Sequence, residues 1–130
     1  MSVEYMIDLE KRLLVLKGTG VVTGPDMHAY VGRVLEDPDV RSVTKELVDF
    51  RQAEFNMGPE DVRGFASADR TRFDGLQIER RAILVSNELQ FGLMRMYGQY
   101  MASMQQDVRS FYDMDEALRW LELGSDSEGT

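Results

Sequence analysis

The sequence predicts an α/β fold: a mixed, largely parallel sheet of about five strands with an N-terminal antiparallel hairpin and about four helices. Three observations lead there. Two β-rich segments open the chain with only a short polar link between them. Short apolar runs then alternate with segments of helical period, and most helical segments begin on a capping signal. Strands separated by helices need crossover connections, which are right-handed and place the strands parallel.

Residues Tyr5 to Asp8 and Arg12 to Lys17 are the paired segments, and Leu9-Glu10-Lys11 has the length and polarity of a hairpin link. Thr23-Gly24-Pro25-Asp26 follows, with a capping hydroxyl, a proline suited to the first helical turn and a carboxylate that complements the helix dipole. Met27, Tyr30, Val31, Val34 and Leu35 recur at helical spacing up to Asp37-Pro38. Leu47, Val48 and Phe50 lack the alternation of a one-sided sheet, so they are expected in a strand buried on both faces.

Gly58-Pro59-Glu60-Asp61 starts the next helix, with Val62, Phe65 and Ala66 directed inward and Asp69 on the same stripe; Asp74-Gly75 ends it. Ala82-Ile83-Leu84-Val85 repeats the buried-strand pattern, and Asn87 with Gln90 has capping-box spacing before a long helix. In that helix Leu89, Leu93, Met96, Tyr97, Tyr100 and Met104 form the expected inward stripe. Val108 to Tyr112 reads as the last strand. Asp113 and Glu116 frame a short helix that turns Met114, Ala117, Leu118 and Leu121 inward. Residues 1–123 are expected to form one domain, and 124–130 a disordered polar tail.

At 130 residues the chain is long enough for one core, and it has no apolar run of bilayer length and no cysteine. No secretory signal precedes the first strand, so a cytoplasmic location without membrane insertion is expected. The net charge of −8 disfavours nucleic acid. The cluster Arg63, Arg70, Arg72, Arg80 and Arg81 is interleaved with Asp61, Asp69, Asp74 and Glu79, and is expected to be a solvated surface.

The order of elements resembles that of the sulfate-transporter and anti-sigma-factor-antagonist (STAS) fold in its SpoIIAA-like branch, over nearly the whole chain to about Leu123. The segments Leu47-Val48-Asp49-Phe50-Arg51, Gln90 to Tyr97 and Phe111 to Leu121 carry the likeness, and they resemble a bacterial group described as STAS or Sec14-like domains. The resemblance implies a regulatory or protein-interaction module. Phosphoregulated members carry a serine at the start of the helix after the third strand, and Met57 stands at the matching position here, which implies binding without that switch. The Sec14-like likeness implies an alternative, a carrier or sensor of a small apolar, lipid-like ligand.

Neither a nucleophile with its base nor a metal-ligand set stands out, and no cofactor is expected. The one histidine, His28, reads as a surface or helix-packing residue. The chain is therefore expected not to be an enzyme. Asp49, inside an apolar strand, needs an ion pair or a capping role. Asp49, Arg51, Asn56, Met57, Ser86 and Asn87 are the candidate ligand or partner residues, because parallel strands bring their carboxyl ends to one rim. Turn formation and capping also explain Asn56, Ser86 and Asn87. Phe91, Met94, Gly98 and Met101, with Trp120, are the candidate interface, either for a homodimer or for a regulatory partner; burial in the core is the competing reading.

Overall fold

The computed structural model describes residues 2–104 and 106–123. The tail expected at 124–130 lies outside the described residues. Five strands, β1 (Val3–Asp8), β2 (Leu13–Thr23), β3 (Lys45–Asn56), β4 (Arg80–Leu84) and β5 (Asp107–Phe111), form one sheet in the order β1-β2-β3-β4-β5. Only the β1–β2 hairpin is antiparallel; the other three pairs are parallel. The helices are α1 (Gly24–Glu36), α2 (Pro59–Arg72), α3 (Glu88–Met101) and α4 (Met114–Trp120), and a 3₁₀ turn spans Pro38–Ser42.

The larger core lies between α1, α2 and α3 and one face of the sheet, and it includes Leu14, Leu16, Val48, Phe50, Ile83, Tyr97 and Met101. The smaller one lies under α4 on the other face, where Leu13, Leu47, Ala82 and Leu84 meet Ala117 and Leu121. Successive residues of β3 and β4 thus enter different cores. This is the physical reason for their unbroken apolar runs.

The helix starts follow the expected chemistry. Thr23 accepts from the Asp26 N–H at 3.2 Å, and Asp26 accepts from the Thr23 N–H at 2.9 Å; that backbone bond is the main cause holding the Asp26 carboxyl below its ordinary pKa. Asp61 accepts from the Gly58 N–H at 2.9 Å. Asn87 and Asp113 cap α3 and α4 through the N–H groups of Gln90 and Glu116.

Strand β3 runs far beyond the expected segment. A register shift opposite Gly18 places one extra residue in β3, since Lys17 pairs Asp49 whereas Thr19 pairs Gln52. The bulge inverts the alternation: Val48 and Phe50 face the larger core before it, and Ala53 and Phe55 pack on that core after it. Because β4 ends opposite Asp49, residues 52–56 pair with β2 and not with β4, as a two-stranded ribbon.

Gln90 compensates for the missing neighbour. Its amide donates to Ala53 O at 2.9 Å and Phe50 O at 3.3 Å, while its carbonyl accepts from the Ser86 N–H at 2.9 Å. The capping box expected of Gln90 does not form, because the side chain is spent on the ribbon edge. Gln90→Leu is expected to cost about 2–3 kcal/mol by leaving carbonyls unpaired near the core. Urea unfolding checks this, and a loss below about 0.5 kcal/mol would mean that water replaces the amide without penalty.

Candidate functional site

The densest polar cluster is internal. Glu46 of β3 and Arg81 of β4 are register partners, and both point between the sheet and the helices. Arg81 Nε donates to Glu46 Oε1 at 2.5 Å, and the Tyr30 hydroxyl of α1 donates to Glu46 Oε2 at 2.6 Å. Arg81 Nη1 donates to the Tyr97 hydroxyl of α3 and to Gln106 Oε1, and Tyr97 in turn donates to Asp69 Oδ2 of α2 at 2.7 Å. The guanidinium also lies 5.2 Å from the Phe73 ring centre. Each helix of this layer and both central strands supply one member.

Burial and neighbouring charge set the protonation states. Desolvation raises the Asp69 pKa, against the opposing pull of Arg81, and its Oδ1 has no hydrogen-bond partner among the described residues. Desolvation, then the Glu46 charge, raises Tyr30; desolvation likewise raises Tyr97, with Asp69 and Glu46 adding to it. Desolvation opposes the charge on Arg81, but Glu46, Tyr97 and Asp69 together outweigh it and keep the guanidinium protonated. The space enclosed by these groups is about 20 Å³, room for one water beside Asp69. This arrangement fixes the register of β3 on β4 and ties the helices to the sheet. The site expectations missed it: Arg81, expected in a solvated cluster, is buried, because its partner Glu46 lies on a strand 35 residues away.

Asp69 carries a pH prediction. A raised folded pKa means that its contribution to stability is present below the unfolded aspartate value, about 3.9, and is lost as pH rises through the folded value. Asp69→Asn is expected to remove this loss. The variant's stability relative to wild type should therefore rise between the unfolded carboxylate range and neutrality. Parallel pH profiles of urea unfolding would refute it.

The rim residues do not converge. Asp49 lies mid-strand and pairs with Arg51, whose Nε and Nη2 sit 3.0 and 2.9 Å from its carboxylate. Desolvation opposes ionisation of Asp49, but these bonds prevail and lower its pKa. Ser86 and Asn87 follow β4, where Asn87 caps α3. Asn56 and Met57 are carried away by the ribbon: Asn56 ends β3 opposite Thr23, seven residues beyond the last β4 partner. The strand order is also monotonic, so neighbouring crossovers do not part to open the crevice found where strand order reverses.

The five interface candidates separate as well. Met94 and Met101 are buried in the larger core, and Trp120, the last residue of α4, packs against Phe111 with the Arg80 and Arg109 guanidinium groups near its ring. Phe91 stacks on the exposed Tyr112 with ring centres 5.5 Å apart, and Gly98 lies against the Val108 backbone. The inward stripe of α3 is Gln90, Leu93, Met94, Tyr97 and Met101, which leaves Leu89 exposed. A buried glutamine at the head of the stripe turns the helix away from the expected face.

Among the described residues no cluster of His, Asp and Glu forms a metal-binding group, and no helix is long and apolar enough to cross a membrane. No family model and no curated protein matches the sequence. Solved structures do share the fold. An uncharacterized protein of the DUF3478 family with a SpoIIAA-like fold, from Shewanella loihica PV-4, superposes with a TM-score of 0.58 at 18% identity, covering 92% of this chain and 94% of that one. The anti-sigma factor antagonist SpoIIAA in its unphosphorylated form superposes with a TM-score of 0.57 at 13% identity, covering 92% and 97%. The fold is thus SpoIIAA-like, as the order of elements implied.

Proposed function

We propose that the chain is a non-catalytic module that binds a protein partner and does so without a phosphorylation switch at the turn after β3. The observation that supports this most is the ribbon. It carries the Asn56-Met57-Gly58 turn beyond the end of β4, with Asn56 exposed and the Met57 side chain packed against the larger core. A thioether in that position offers no oxygen to a kinase, and the first turn of α2 is already capped by Asp61. The similarly folded SpoIIAA is an anti-sigma factor antagonist, which supports a regulatory partner for this chain too. The apolar-ligand alternative has less support, since the space inside the larger core, beside Tyr30, Glu46 and Asp69, is about 20 Å³ and would have to open widely to admit a lipid.

A photoreactive amino acid at Asn56, scanned in cells beside exposed Glu60, Arg95, Tyr112 and a control at Arg41, tests the reading. A discrete adduct from a surface cluster of these positions and not from Arg41 is expected. Absence of adducts at every position would overturn the module reading. Sedimentation over a range of concentration separates partners: a chain that remains monomeric throughout removes the homodimer version.

A further inference from the structure

The second edge of the sheet offers a built surface. Among the described residues, strand β5 has a neighbour on one side only. Asp107 donates its N–H to Glu79 O, and Phe111 O accepts from the Val85 N–H, each at 2.9 Å. In a parallel ladder alternate residues face opposite sides, so the N–H groups of Val108 and Ser110 and the Ser110 carbonyl point away from β4. The Val108 carbonyl is met by α3: a Cβ on Gly98 would stand 3.1 Å from it, and glycine permits the close approach.

Along this edge runs a groove of about 410 Å³ whose walls include Phe91, Arg95, Gly98, Val108, Arg109 and Ser110. Phe91, Ala102 and Val108 make much of its lining apolar, and Ser110 Oγ is buried with no hydrogen-bond partner among the described residues. Its rims are basic. Arg95 is exposed on α3 and makes no ion pair among the described residues, and Arg109 lies over the Trp120 ring on the far face, joined only to Asp107 at 3.4 Å. A short strand with charged residues ordinarily blunts an edge. Here Arg109 is drawn across Trp120, which leaves the outward backbone groups uncovered.

We infer that the β5 edge and its groove take an extended acidic segment of a partner protein, added as a further strand beside β5. Backbone groups of Val108 and Ser110 would pair with the segment, alternate apolar side chains would enter the groove, and carboxylates would meet Arg95 and Arg109. Net charge elsewhere on the chain is acidic, so the two arginines set the sign of the partner locally. The inference rests on the module reading above and names the class of partner.

The probe is a short alternating Val-Glu peptide titrated into the full chain and followed by amide NMR. Saturable shifts confined to Val108–Ser110 and to residues 91–99 are expected, with no comparable binding of a Val-Lys peptide or of a Val-Glu peptide N-methylated at alternate amides. Ser110→Pro removes an outward N–H without touching the ladder to β4, and Arg95→Glu reverses an exposed charge; each is expected to weaken binding about tenfold or more. If Ser110→Pro fails to fold, Arg95→Glu and the N-methylated peptide carry the test. No saturable binding, shifts elsewhere, or indifference to N-methylation or peptide charge overturns the inference. In cells, photo-adducts at Asn56 but not at Ser110 overturn the edge while sparing the module reading.

Discussion

Replacing Arg81 by methionine is expected to lower the free energy of unfolding by about 3–5 kcal/mol, a large share of the 5–15 kcal/mol typical of a domain. The substitution keeps an unbranched apolar stem but removes the only cation beside Glu46 among the described residues; Glu46 is fully buried and would keep just the Tyr30 hydroxyl as a partner. It also removes the donor to Tyr97 and Gln106. Glu46→Leu is expected to cost a similar amount by leaving the guanidinium unpaired. The double variant should recover most of the loss, because two apolar side chains need no partner. A double-mutant cycle by chemical denaturation decides the matter. Single substitutions costing under about 1 kcal/mol would show that water already compensates these charges, and the network would lose its role as the tie between sheet and helices.

The pair also shows where sequence reading stops. Helix starts at Thr23, Asn87 and Asp113 are local chemistry, and each caps as its residue type predicts. The buried runs around Val48 and Ile83 are legible because strands covered on both faces are apolar throughout. The order of strands and helices follows from these local signals, and its resemblance to the SpoIIAA-like order implied the fold. Pairing across strands is not local. Glu46 shares its parity with Val48 and Phe50, and Arg81 shares its own with Ile83 and Val85, so an inward orientation was readable for each. That the two meet depends on the register of β3 on β4, which only the assembled sheet defines. The separation of Asn56 from the end of β4 was not legible for a related reason: a bulge lengthened β3 and carried the turn beyond its last β4 partner.

That bulge supports the second large effect. Phe50→Ala is expected to cost about 3–5 kcal/mol, since the ring is 1% exposed and stands edge-on to Phe55 at 4.8 Å where the ribbon leaves the sheet. Gly18 explains why the ring sits there. A Cβ at that position would lie 2.8 Å from Phe50 Cδ1 and 3.1 Å from Cε1, so Gly18→Ala in the wild type must displace a packed ring and should cost about 1–3 kcal/mol. Without the ring the same methyl enters vacated space, and alanine also restricts the unfolded chain more than glycine does. The cost of Gly18→Ala should therefore fall towards zero, or reverse, in the Phe50→Ala background. Hydrogen exchange at the 52–56 amides should rise in Phe50→Ala before global unfolding, because the ribbon has one strand neighbour and depends on Phe50, Phe55 and Gln90 to stay on the core. Additive costs in the cycle would mean that the bulge is fixed by its backbone alone, and unchanged exchange at those amides would mean that the ribbon does not depend on the aromatic pair.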